Sequence, residues 1–272
     1  MTLRLSRDTQ LCISLSARPS NVGTRFHNYL YEQLGLDFVY KAFAPTDITA
    51  AVGGIRGLGI RGAAISMPFK QAVIPLIDEV DSTASVINAV NTIVNTSGHL
   101  QGFNTDFIAV RQLLEAADLH PNASVLVLGS GGMARAVIAA VQDVGLGNRF
   151  INARNSEAAA ELATQYSAQV IEDPDHLRPH VIINATPIGM AGGPESSQLP
   201  VSEAVIASAD VVFDVVAMPV VTPLVQMATA LGKQVITGRE VMTLQAVEQF
   251  VLYTGVRPTP AQISDAAEFA NA

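Results

Sequence analysis

The stretch SVLVLGSGGMARAVIAAV, residues 124–141, constrains the fold more than any other part of the chain. The apolar run Val125–Leu128 reads as a buried parallel strand. A glycine turn follows, and then an apolar helical pattern. The spacing is G-x-G-x-x-A: Gly129, Gly131 and then Ala134, with Gly132 between them. The first glycine permits a tight turn, the second lets backbone approach a pyrophosphate, and the small third residue lets helix and strand pack closely. The helix start offers unpaired N–H groups to phosphate oxygens. Such a motif is weak alone, but a strand before it and a helix after it give it the context of a dinucleotide site. The competing reading is a structural turn in a non-binding α/β protein.

Five further strand-like runs follow, at 149–152, 168–171, 180–184, 210–216 and 234–236, with helical patterns between most of them. Six strands with intervening helices match a doubly wound dinucleotide-binding sheet of the Rossmann type. Upstream, QLCIS (10–14), FVYKAF (38–43), IRGAAI (60–65) and NTIVN (91–95) alternate with helical spacing, which predicts βα units in a mainly parallel sheet. NTDFIAVRQLLEAADLHPN (104–122) reads as a linking helix, and EVMTLQAVEQFVLYTG and TPAQISDAAEFANA as two terminal helices. The fold class is therefore α/β with two domains. One spans 1–105 and is completed by helices in 241–272. The other, the dinucleotide domain, spans 106–240.

Composition narrows the partners. In 272 residues, 49% are hydrophobic and 15% charged, which fits a well-packed globular chain. A net charge of −8 without a dense basic cluster argues against nucleic acid and anionic membranes. Cys12 is the sole cysteine, so no intrachain disulfide forms. The polar start MTLRLSRDTQ lacks a signal sequence's apolar core, and no apolar run reaches the ~18–20 residues of a membrane span. These features predict a cytoplasmic protein acting on a small molecule; they leave monomer or homodimer open.

Two cations stand out. Past the second strand of the dinucleotide domain, in RFINARNSE, no acid follows directly, and Arg154 stands just past the strand's end. An acid there favours NAD and an arginine favours the 2′-phosphate of NADP. Arg154 thus points to NADP, with a solvated surface arginine as the alternative. Lys70 is the one formal charge in AAISMPFKQAVIP (63–75). It is either a desolvated proton carrier or a stem lying on apolar surface with its ammonium in water. His176 and His180 have helical metal-ligand spacing, but Pro179 disfavours a helix, and no cysteine or carboxylate set completes a metal site. His27 reads as packed within its helix, and Met67, Met190 and Met218 as core or cleft fillers.

Several short motifs, in this order, resemble the shikimate/quinate dehydrogenase family. They are SLS (Ser14, Ser16), SMPFK (Ser66, Lys70), VNT (Asn91) and NTD (Asn104, Thr105, Asp106). The glycine turn GSGGMARA, NATPIGM (184–190) and a late glutamine, Gln245, complete the series. The resemblance covers nearly the whole chain. It implies reversible oxidation of the C3 hydroxyl of shikimate, with hydride passing to a nicotinamide.

On that resemblance Lys70 transfers the proton, and Asp106 orients and tunes it. Ser14 and Ser16 hold the substrate carboxylate; Ser66, Asn91, Asp106 and Gln245 bind its hydroxyls. Gly129, Ser130, Gly131, Gly132, Met133, Ala134, Arg154, Thr186, Gly189 and Met190 hold NADP. Four departures bear on substrate and cofactor. An apparent insertion, ARPSNVGTRF, follows Ser16 and contains Arg18. Ala217 stands where the family often has tyrosine. Ser66 replaces a threonine, and Ala158 replaces a second arginine near Arg154. A quinate or related cyclohexane-acid dehydrogenase, NAD-using or not, is the alternative activity. A non-catalytic ligand-binding relative is the alternative class.

Overall fold

The computed structural model describes residues 5–272, which divide into two compact units. The first comprises residues up to Thr105 together with Thr243–Ala272; the second is Asp106–Met242.

The first unit opens with β1 (Gln10–Leu15), α1 (Val22–Gln33), β2 (Phe38–Phe43), α2 (Ile48–Gly57) and β3 (Gly62–Ile65). Short β4 (Glu79–Val80) and α3 (Ser82–Ser85) lead to β5 (Thr92–Thr96) and β6 (His99–Phe103). The strand order is β2-β1-β3-β5-β6-β4. β1 pairs in parallel with both β2 and β3, as the βα pattern predicts. β5 departs from that pattern: it runs antiparallel to β3 and β6. Ser97 and Gly98, with φ of 54° and 91°, form the tight turn between β5 and β6. Positive φ at both central residues matches the twist of a two-residue hairpin. The strand HLQGF escapes sequence reading because Gly102 interrupts its alternation; there a Cβ would press on Ile77 and Val90.

The second unit contains α4 (Thr105–Ala116), β7 (Ser124–Leu128), α5 (Gly132–Asp143), β8 (Asn148–Asn152), α6 (Ser156–Gln165) and β9 (Gln169–Val170). β10 (Val181–Asn184), α7 (Glu203–Ser208), β11 (Val211–Asp214), α8 (Pro223–Ala230) and β12 (Gln234–Thr237) follow. All strands are parallel, in the order β12-β11-β10-β7-β8-β9. Order reverses beside β7, where crossovers run to either side and leave a crevice at the strands' carboxyl ends. Val125–Leu128 are buried on both faces, which is why they form one continuous apolar run.

The chain returns through α9 (Gly238–Thr254), which starts in the second unit, and α10 (Pro260–Asn271). In the first unit one core cluster gathers Phe26, Leu30 and Tyr31 of α1, Tyr40 of β2 and Val247, Phe250 and Tyr253 of α9. Gly62 admits this packing, since a Cβ there would overlap the Tyr253 ring. Arg61 fixes the end of α9 by donating to the carbonyls of Tyr253 (2.9 Å) and Asn95 (2.8 Å). A cation suits the negative end of a helix.

Candidate functional site

In the first unit, Leu15 and Ile65 are partners in the parallel register of β1 and β3, so Ser16 and Ser66 leave the sheet side by side. Ser66 N donates to Leu15 O (2.9 Å) and Ala17 N to Met67 O (3.1 Å), which knits the two exits together. Ser14 lies one turn of the pleat earlier, beside Tyr40, whose phenol it contacts. Ser16 Oγ accepts from Arg18 N at 3.2 Å; the Arg18 side chain is exposed. The turn after β3 carries the half-buried Lys70, whose carbonyl accepts from Val90 N at 2.9 Å. Val90 hands directly to Asn91, and Asn91 O accepts from Ile65 N at 2.7 Å.

Asn91 is the hub of this end of the sheet. Its Oδ1 accepts from Thr92 Oγ1 (2.8 Å), Thr105 N (2.8 Å) and Thr105 Oγ1 (3.1 Å). Asn104 adds bonds to Ala89 O (2.8 Å) and from its own N to Thr83 Oγ1 (3.1 Å). The start of α4 is thereby pinned to the β5 edge. Asp106 follows Thr105 in the first helical turn, 6% exposed, where the helix dipole favours a carboxylate. Ser14, Ser16, Ser66, Lys70 and Asn91 thus share one end of one sheet.

Gln245 is half-buried on α9. Gln249, one turn later on the same face, is the residue that reaches the hub: its Nε2 donates to Thr92 Oγ1 (3.1 Å) and Asn91 O (3.4 Å). Sequence reasoning missed it; the i, i+4 glutamine spacing was the available signal. Gln249 also lies beside His27, which is fully buried and stacked on Tyr40 at 4.4 Å and 10°. Neither ring nitrogen of His27 has a hydrogen-bond partner, and burial pushes its pKa down to about 3. It is a neutral core ring, not a base.

In the second unit a crevice is lined by Gly129, Ser130 and Gly131, by Arg154 and by Thr186, among others. Gly129 has φ of 112°, and a Cβ on it would press within 3.0 Å of Ala185 O. Gly131 and Gly132, by contrast, face open space where side chains would stand. Gly131 precedes α5 without any side-chain cap, so the first N–H groups of that helix stay available. The cradle therefore fits a pyrophosphate. Met133 is half-buried in the first turn of α5, and Ala134 is fully buried, as close helix–strand packing requires. Thr186 Oγ1 donates to Asn184 Oδ1 at 2.6 Å. Gly189 (φ 90°) and Met190 lie on the same loop but do not line the crevice.

Asn184 is itself anchored: its Nδ2 donates to Asp214 Oδ1 at 3.0 Å. Asp214 also accepts from Val216 N (3.0 Å) and Thr222 Oγ1 (2.6 Å), so one buried carboxylate ties β10, the loop after β11 and the cap of α8. Its apolar surroundings raise its pKa against the pull of those three bonds.

Met67 and Met218 are 76% and 72% exposed, so neither is a core residue; each precedes a proline. Arg154 is exposed, and its Nη1 lies 3.3 Å from Glu195 Oε2. Among the described residues no cluster of His, Cys, Asp and Glu is placed to hold a metal ion, and no helix is long and apolar enough to cross a membrane.

Comparison with known proteins gives the arrangement a family. Residues 20–93 match the family model described as "Shikimate dehydrogenase substrate binding domain". A shikimate dehydrogenase-like protein of Haemophilus influenzae is 51% identical over 266 residues, 98% of each chain. A solved shikimate 5-dehydrogenase-like protein superposes with a TM-score of 0.98 at 50% identity, covering 99% of this chain and 100% of that one. The shikimate 5-dehydrogenase of Thermus thermophilus, solved with NADP(H) and shikimate, superposes with a TM-score of 0.86 at 28% identity, covering 96% and 99%. Identity at about half of all positions along nearly the whole length, on the same two-sheet fold, makes this chain a member of the shikimate/quinate dehydrogenase family.

Proposed function

We propose that the chain is an NADP-linked shikimate dehydrogenase that reversibly oxidises the C3 hydroxyl of shikimate. The observation that carries this reading is the Asn91 hub, which gathers two strand ends, the Lys70 turn and the start of α4 at one end of a sheet. The family match and the solved complex of a relative with NADP(H) and shikimate support it.

Ser14 and Ser16 hold the substrate carboxylate. Their hydroxyls, like that of Ser66, are short and carry little conformational freedom to lose on binding. Asn91 commits its Oδ1 to three protein donors, so its Nδ2 is the end that meets a substrate hydroxyl. Gln245 and Asp106 bind further hydroxyls. Buried polar groups of this kind reject analogues that would leave them unpaired.

Lys70 takes the proton of the reacting hydroxyl in the oxidation direction and returns it in reduction. As an ammonium it also stabilises developing negative charge on that oxygen. Asp106 orients the Lys70 amine. Gly129, Ser130, Gly131 and the start of α5, with Met133 and Ala134, hold the pyrophosphate. Arg154 faces the 2′-phosphate, and Thr186, Gly189 and Met190 stand toward the nicotinamide end. The nicotinamide supplies the hydride acceptor when bound.

The test is the absorbance of reduced nicotinamide with shikimate or quinate, each with NADP or NAD. Shikimate-dependent reduction of NADP is expected. A quinate preference moves the substrate; binding without turnover for all four pairs overturns the enzymatic reading.

A further inference from the structure

We infer that Glu195 lowers this chain's preference for NADP over NAD by holding Arg154 in an ion pair until a 2′-phosphate displaces it. The inference rests on the dinucleotide pocket proposed above. Sequence reading finds no acid directly after β8 and stops at Arg154. The fold supplies the acid from a loop 41 positions later.

Three observations carry it. First, Arg154 Nη1 lies 3.3 Å from one Glu195 oxygen and 3.5 Å from the other. Among the described residues lining the pocket Arg154 is the one cation, so Glu195 cancels the charge that a phosphate needs. Second, the two partners are held unequally. The Glu195 side chain is 25% exposed and that of Arg154 is 77% exposed. Glu195 is fixed through its carbonyl, which accepts from Gly189 N (3.0 Å) and Gln198 N (3.1 Å). Arg154 is therefore the partner that swings. Third, its neighbours in sequence do not substitute for it. Ala158 carries no charge, and the Asn155 side chain is engaged in capping α6 through Ala158 N at 3.0 Å.

An acid beside the adenosine ribose accepts a hydrogen bond from the 2′-hydroxyl, and an arginine accommodates a 2′-phosphate. Here the arginine lines the crevice and is tied to a carboxylate outside that lining. A phosphate monoester carries a charge of about −1.5 to −2 at neutral pH and attracts the guanidinium more strongly than one carboxylate does. It must still break the ion pair and stand beside the released carboxylate. NAD does neither.

The experiment is a fluorescence titration of wild type, Glu195→Gln and Arg154→Gln with NADPH and NADH. Glu195→Gln is expected to tighten NADPH binding about two- to fivefold, the worth of one exposed charge pair. NADH binding is expected not to change. Arg154→Gln is expected to weaken NADPH alone. An equal shift for both dinucleotides in Glu195→Gln, or no shift in either, overturns the role of Glu195 and leaves the pocket assignment standing. Wild-type protein that binds neither dinucleotide overturns the pocket assignment and this inference together. Because Glu195 is held by its backbone, the substitution leaves the loop intact, and Glu195→Ala repeats the test without a side-chain amide.

Discussion

Gln249 Nε2 donates to Thr92 Oγ1 at 3.1 Å, joining residues 157 positions apart in the core of the first unit. Thr92 in turn donates to Asn91 Oδ1 at 2.8 Å. A hydroxyl has one proton, so accepting from Gln249 leaves the Thr92 proton committed to Asn91. Helix α9 thus sets the hydrogen-bonding state of the hub.

Gln249→Ala is expected to leave that hydroxyl short of a donor and to cost about 1–3 kcal/mol of stability. The substrate KM should rise more than kcat falls, because Asn91 loses its fixed orientation while Lys70 is untouched. Urea denaturation and steady-state kinetics check both. An unchanged KM with lowered stability would reduce Gln249 to a purely structural residue.

His27 predicts an acid limb in stability. Its pKa is about 3 in the fold against 6.5 when unfolded, so the unfolded chain binds the proton first as pH falls. Stability from the neutral ring is complete above pH 6.5 and is lost progressively as pH falls from there toward 3, by up to about 1.4 kcal/mol per pH unit. His27→Phe keeps the stack on Tyr40 and gives up no hydrogen bond. Thermal melts at pH 7 and pH 5 should differ less in that variant than in wild type. An equal pH dependence would contradict the assignment.

Asp214→Ala is expected to cost roughly 3 kcal/mol or more, since it strands the donors of Asn184, Thr222 and Val216 in a buried setting. Asp214→Asn keeps an acceptor for Asn184 and Val216 and should lose about half as much. NADPH binding should weaken in Asp214→Ala, because Asn184 also holds Thr186 of the pocket loop. Equal stability of the two variants would show that these bonds carry little weight.

The central elements of the second unit were legible because each carries its own signal. Val125–Leu128 are apolar without alternation, the turn after them is glycine-rich, and Arg154 falls where the second strand ends. The terminal helices and the strands β1 to β3 announce themselves by periodicity in the same way. Three kinds of feature were not legible. HLQGF carries a glycine in mid-strand, which hides its alternation. Gln249 reads as one more residue on an apolar helix, because its partners lie far away in sequence. Glu195 sits in AGGPESSQLP, a stretch with loop composition and no period, so only the fold brings it to Arg154. What escapes reading is pairing across distance, and that is where the hydrogen bonds of the candidate site are made.

The central claim is tested most directly by the initial rate of NADP reduction by shikimate in wild type and Lys70→Ala. The account predicts turnover in wild type and a fall of about a hundredfold or more in the variant, the usual worth of a positioned proton-transfer group. The variant should remain folded, since the Lys70 backbone carbonyl that accepts from Val90 N is retained. Wild-type turnover in a folded Lys70→Ala protein would contradict it.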